Sequence, residues 1–256
     1  MPRYRNRIAL LLLPLMLPGL VSAETAGTIA PAAADPRSVY LEGHSPAWLR
    51  AVGKLIVPGI RYENGYRRHH TERCSATLVN TSTNARADTI VTAWHCLEFY
   101  EDLSQQIIFI LETASGERIQ TQATRLAEGG HMEADWAIMR LRQAVSGEQV
   151  PALAMNPGRA NPRQSLLMAG YSRDSGRGQS GASLSYDPAC FITGQTSTHS
   201  DSNCTAYKGA SGGAVIQLST AGEPLLSGVI SQGNGGNVSR FIPLSRFRQT
   251  LLTQLR

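Results

Sequence analysis

The strongest constraint on the fold is a succession of short, β-branched or alternating segments, each cut off by Gly, Pro, Asn or Ser. They are Lys54–Val57, Ser75–Val79, Thr89–Ala93, Gln106–Leu111, Arg118–Leu126, Trp136–Arg140, Leu166–Ala169, Leu184–Tyr186, Gly213–Leu218, Leu225–Ser231 and Arg240–Ile242. Short strands separated by turn residues predict an antiparallel all-β fold, a sandwich or barrel, and not alternating βαβ units. The Pro/Asn/Gly-rich stretch Ala144–Gln164 is a natural connection between two halves. One good helical pattern occurs, at the end: Leu244, Phe247, Leu251 and Leu255 fall near a 3.6 period, with Ser245 as N-cap, predicting a helix over about 245–255. Hydrophobic residues make up 42% and charged residues 17%, which excludes a disordered chain. There is no Gly-rich Walker loop and no Cys-x-x-Cys pair, which disfavours P-loop enzymes and zinc ribbons.

The formal charge of +5 suggests a nucleic-acid partner until its location is considered. Three positive charges, Arg3, Arg5 and Arg7, precede a Pro-broken apolar run from Ile8 to Leu20 and the small-x-small ending Val21-Ser22-Ala23. This is the pattern of a secretory signal peptide over 1–23, cleaved after Ala23. The run is too short and too rich in Pro for a spanning helix, which needs roughly 20 apolar residues, so no stable membrane anchor is expected. The signal holds no acid, so the remainder carries only +2. That leaves little drive for nucleic-acid binding, and Arg67-Arg68-His69-His70 reads as a solvated loop. Residues 24–50 begin with an Ala/Thr/Pro-rich stretch and read as a linker or pro-segment. Export, to a secreted or periplasmic location, also makes the four Cys read as two disulfides.

Three strings carry chemistry: Thr89-Ile-Val-Thr-Ala-Trp-His95-Cys96, Ala134-Asp135-Trp-Ala-Ile-Met-Arg-Leu141 and Lys208-Gly209-Ala210-Ser211-Gly212-Gly213. A nucleophilic Ser needs a base for its proton and a carboxylate to orient that base. Ser211, His95 and Asp135 supply these groups, each at a strand end. The glycines permit a tight turn in which the Gly209 and Ser211 N–H groups face a developing oxyanion. Gly209-Ala-Ser211-Gly-Gly213 also fits the nucleophile elbow of α/β-hydrolases, but that fold requires a His after the Ser, and the last His here is His199. A metal site using His69, His70, Cys74, His95 and Cys96 lacks regular ligand spacing. Neither metal nor cofactor is expected.

The order His, Asp, Ser, with these three strings, resembles the chymotrypsin/trypsin family of serine proteases over about Ala51–Arg256. The resemblance implies two six-stranded antiparallel β-barrels, about 51–145 and 160–243, followed by the C-terminal helix. It implies a Cys74–Cys96 disulfide, which leaves Cys190 to pair with Cys204. It assigns Ser231 to holding Asp135, the Ser231–Gly233 backbone to pairing with substrate as an added strand, and Thr205 to the base of the primary specificity pocket. A pocket without a buried Asp there predicts a neutral side chain at the cleaved residue (P1). Arg50-Ala51-Val52-Gly53 looks like an activation junction, yet Ala210 stands where animal digestive members carry the Asp that pairs with the released amine. Activity is therefore expected not to depend on an Ala51 ammonium, since a buried ammonium without a partner is costly. The expected function is an exported serine endopeptidase, a monomer acting on polypeptides. The alternative is a catalytically silent binding or adhesion module, for which Ala210 and the bulky Trp94 are the arguments.

Overall fold

The computed structural model describes residues 34–81 and 86–255, and the folded unit begins at Asp35. The expected signal peptide and the start of the expected linker lie outside the described residues. Residues 35–50, expected as linker, are instead part of the folded unit. They form β1 (Ser38–Val39) and lead into a 3-10 turn, Ala47–Ala51, whose Leu49 and Ala51 are fully buried. None of the helices among the described residues is long and apolar enough to cross a membrane.

The first half is a closed six-stranded barrel. Its strands are β2 (Val52–Glu63), β3 (Tyr66–Val79), β4 (Ala87–Thr92), β5 (Ile107–Glu112), β6 (Arg118–Glu128) and β7 (Ala137–Val145), in the order β2-β3-β4-β7-β6-β5. Period-two patterning builds it: Ile107, Phe109 and Leu111 of β5 point to the core, while the residues between them are half-buried. The β2–β3 hairpin is longer than its apolar segments suggest. Asn64 (φ +52°) and Gly65 (φ +81°) form its two-residue turn, and positive φ at both positions matches the right-handed strand twist. Arg67–His70, expected as a loop, are therefore ladder residues, paired with Tyr62 to Gly59.

The second half holds β8 (Ala154–Met155), β9 (Leu166–Gly170), β10 (Ser185–Cys190), β11 (Ile192–Gln195), β12 (Ser200–Ser202), β13 (Ala214–Leu218), β14 (Pro224–Gly233) and β15 (Ser239–Pro243). Together with β1 they make a nine-stranded sheet, β1-β10-β9-β13-β14-β15-β12-β11, with β8 beside β14. It is a half-barrel, not the closed six-stranded barrel expected. Its end strands, β1 with two residues and β11 with four, carry too few ladder groups to close the gap. β11 and β12 have no apolar run to announce them and exist through pairing with each other and with β15. Leu166, Met168, Val215, Ile230 and Phe241 form a core here around Cys190 and Cys204.

The chain ends with a 3-10 turn, Leu244–Arg246, and helix α1 (Arg248–Gln254). Ser245 lies within the turn and is not the N-cap, which falls at Phe247 without a side-chain bond. Phe247 is buried and stacks on Trp136 at 5.1 Å, so packing decides where the helix starts.

Candidate active site

Where β4 runs out of partners the chain turns into a single 3-10 turn, Trp94–Cys96, which carries His95. Asp135 follows another 3-10 turn, Met132–Ala134, just before β7. Because β4 pairs with β7, the two turns leave the barrel side by side. Asp135 is fully buried and accepts from His95 twice: the backbone N–H reaches Oδ1 at 2.8 Å and ring Nδ1 reaches Oδ2 at 2.8 Å. Ser231 Oγ, on β14 of the other half, donates to Oδ2 at 2.5 Å. An ionised carboxylate only accepts, so Nδ1 carries the proton and Nε2 of the neutral ring keeps its lone pair. Burial alone pulls the His95 pKa down, but the hydrogen bond and charge of Asp135 outweigh it and hold the imidazole above its ordinary 6.5.

Ser211 sits in the tight loop that opens β13, and the loop rests on one residue of β3, Ser75. Ser75 N–H donates to the Ser211 carbonyl and Ser75 Oγ to the Gly209 carbonyl, each at 2.8 Å. Ser75 Oγ also accepts the Tyr171 N–H, and its carbonyl accepts Thr92 Oγ1, again at 2.8 Å each. The N–H and hydroxyl of this buried serine thus join the barrel to the loop, while its carbonyl ties β3 to β4. Gly212, at φ +80°, is pressed so closely that a Cβ would lie 2.1 Å from Thr92 Oγ1 and 2.2 Å from the Ser75 carbonyl. Only glycine fits there.

The loop's own hydrogen bonds are selective. The N–H groups of Ala210, Gly212 and Gly213 donate to the carbonyls of Tyr207, Ile230 and Ala210, at 3.0, 2.7 and 2.8 Å. Those of Gly209 and Ser211 donate to no acceptor among the described residues. Ser211 Oγ is likewise not hydrogen-bonded to His95. The Ser211 carbonyl lies 3.9 Å from Cys96 Sγ, next in sequence to His95.

Cys74 is joined to Cys96 and Cys190 to Cys204. Both Cys74 and Cys96 sulfurs lie within 4.8 Å of a ring nitrogen of His95, the proximity a metal site would need. With the sulfurs bonded to each other and His95 held by Asp135, no thiolate is free to ligate a metal.

On the specificity side, Thr205 is buried and committed. Its N–H donates to Asp187 Oδ2 at 2.9 Å and its hydroxyl to the Gly236 carbonyl at 2.5 Å. A Cβ on Gly233 would lie 2.4 Å from the Ala206 carbonyl, and the Gly235 N–H donates to that same carbonyl at 3.2 Å. The two segments that would wall a pocket over Thr205 are therefore in direct contact. Ser75, Asp187 and Arg37 (below) escaped the sequence reading. Ser75 had a faint signal, a hydroxyl opening an otherwise apolar strand; Asp187 and Arg37 had none.

Residues 74–223 match the profile of the family described as Trypsin-like peptidase domain. No curated protein matches the sequence. Among solved structures, the chain is similar to a thermostable serine protease, AL20, from an extremophilic microorganism. The TM-score is 0.55 at 20% identity, covering 80% of this chain and 96% of that one. This likeness speaks for the fold, and the profile, spanning more than half of the chain, speaks for the family. The chain belongs to the trypsin-like peptidase family of serine endopeptidases.

Proposed function

We propose that the protein is an exported serine endopeptidase that cleaves polypeptides through an acyl-enzyme, using His95, Asp135 and Ser211. Ser211 Oγ bonds to the scissile carbonyl carbon while its proton passes to His95 Nε2. The carbonyl oxygen becomes an oxyanion held by the Gly209 and Ser211 N–H groups, a stabilisation of roughly 2.7–4 kcal/mol per donor. The C–N bond then breaks and the leaving amine takes the proton from His95. Water attacks the acyl-enzyme by the same route, giving its proton to His95, and Ser211 recovers its own as the acid departs. Asp135 holds the tautomer throughout and stabilises the imidazolium.

The observation that carries this reading is the fully buried Asp135 saturated by His95 and Ser231. Such an arrangement has little structural purpose beyond fixing one tautomer of one imidazole. Export is supported by the basic, apolar and small-x-small start of the sequence and by the absence of free cysteines among the described residues.

The reading as a silent binding module draws on the missing hydrogen bond from Ser211 Oγ to His95, a bond often loose until substrate binds. A fluorophosphonate probe separates the two. The enzyme reading expects labelling of the wild type and none of Ser211→Ala. An oxidised, folded wild type that resists labelling overturns it in favour of the module. N-terminal sequencing of exported protein should find Glu24 as its first residue.

A further inference from the structure

The Lys208–Gly209 peptide carries one of the two proposed oxyanion donors, and Gly209 to Gly213 include no charged side chain to hold it. What holds it comes from far upstream. Arg37, on the segment entering β1, has a side chain only 2% exposed and is clasped by two carboxylates. Its Nε and Nη2 donate to Asp35 at 3.0 and 2.6 Å, and its Nη1 and Nη2 donate to Asp174 at 2.9 Å each. The guanidinium also lies 4.2 Å from the centre of the Tyr207 ring.

Both Asp174 and Tyr207 lead to the same peptide. Next to Asp174, Arg173 donates its N–H to the Lys208 carbonyl at 2.6 Å. Its Cγ stands 2.7 Å from where a Gly209 Cβ would be. On the other side, Tyr207 accepts the Ala210 N–H at 3.0 Å, and its ring packs against Gly235. A trans peptide is planar, so its C=O and N–H point in opposite directions. Tying the Lys208 carbonyl to Arg173 therefore aims the Gly209 N–H the other way, where it meets no acceptor among the described residues. A flip of this peptide would turn the donor away and break the carbonyl's bond to Arg173.

We propose that Arg37 is a positioning residue for catalysis: by clamping Asp174 and Tyr207 it sets the orientation of the Lys208–Gly209 peptide and so assembles the oxyanion hole. The inference rests on the peptidase reading above. A buried guanidinium is stable only with its acids in place, so the three parts lock together or not at all. The lock arrives with the upstream chain itself and requires no cleavage at Arg50. Arg50 is instead bound to Glu42 at 2.9 Å, and the following Ala51 is fully buried.

The test uses the exported form starting at Glu24. Arg37→Ala is expected to lower kcat by about 100-fold or more, the usual loss for one oxyanion donor, with KM changed far less. Millimolar guanidinium should restore at least tenfold of that loss in Arg37→Ala and nothing in wild type. Arg37→Lys, which keeps the charge without the planar fork, should remain impaired. A folded Arg37→Ala with kcat within threefold of wild type overturns the proposal, as does a loss that guanidinium cannot restore. If Arg37→Ala shows no cooperative thermal transition, Asp174→Asn takes its place, and wild-type kcat in that variant overturns the proposal. A wild type that neither labels with fluorophosphonate nor hydrolyses peptides defeats the peptidase reading and this inference together. A labelled wild type beside an equally active Arg37→Ala defeats the inference alone.

Discussion

At the scale of residues, His95 and Ser75 show two ways in which a side chain does its work. His95 was legible from sequence because its chemistry is local: a β-branched strand delivers an imidazole beside a Cys that the resemblance pairs with Cys74. Its titration was not legible, because the balance between burial and Asp135 exists only in the folded site. With its pKa raised above 6.5, the stability from this pair is complete below the unfolded value and fades as pH rises through the folded one. In the proposed mechanism catalysis runs the opposite way, since only the neutral ring would accept the Ser211 proton. The acid limb of kcat/KM should therefore have its midpoint above 6.5; a midpoint clearly below that value would contradict the assignment of His95 as base. Ser75 works through position alone. Ser75→Ala leaves the Gly209 carbonyl and the Tyr171 N–H unpaired in a buried place. The expected cost is about 1–3 kcal/mol of stability, read from denaturant midpoints, together with a fall in kcat as the loop loosens. A variant with unchanged kcat would show that the loop holds its shape without this serine.

At the scale of elements, the barrel strands followed their period-two patterns, whereas β11, β12 and the outer part of the β2–β3 hairpin did not announce themselves. Most of their residues are polar, and such strands owe their existence chiefly to pairing. The same scale governs specificity. Gly233 closes β14 directly against the Ala206 carbonyl, and Thr205 spends its hydroxyl on Gly236. The Thr205 side chain itself brings no charge and no free hydroxyl, and the Asp187 carboxylate beside it is engaged by the Thr205 N–H, while the Ala206–Gly233 contact narrows the space beneath a P1 side chain. We expect cleavage after small, uncharged residues, with substrates carrying Arg, Lys or Tyr at P1 disfavoured by roughly 100-fold or more, in line with the cost of steric exclusion from a shaped pocket. A peptide-library profile measures this directly, and a strong preference for Arg or an aromatic residue would refute it.

At the scale of the whole molecule, the site is assembled from parts that no single segment holds. Asp135 and Ser231 are 96 positions apart, Ser75 and Gly209 are 134 apart, and Arg37 and Asp174 are 137 apart. The segment before Ala51, readable only as linker or pro-segment because it lacks an apolar period, is integral: it contributes β1, the buried Leu49 and the Arg37 clasp. A protein beginning at Ala51 should accordingly have lower thermal stability and little or no peptidase activity, while one beginning at Glu24 should be active. Activity confined to the Ala51 form would reverse this picture. By itself the sequence determined the all-β class and picked out the candidate catalytic side chains and their order, because strand patterning and short Gly- and His-bearing strings are local properties. Only the tertiary structure decided that the second half stays open, that Ser75 is tied to the Ser211 loop, that Arg37 is clasped by Asp35 and Asp174, and that the Lys208–Gly209 peptide faces one way. A peptide's orientation and a buried charge's partners are set by groups brought close in space, and no local pattern in the chain records them.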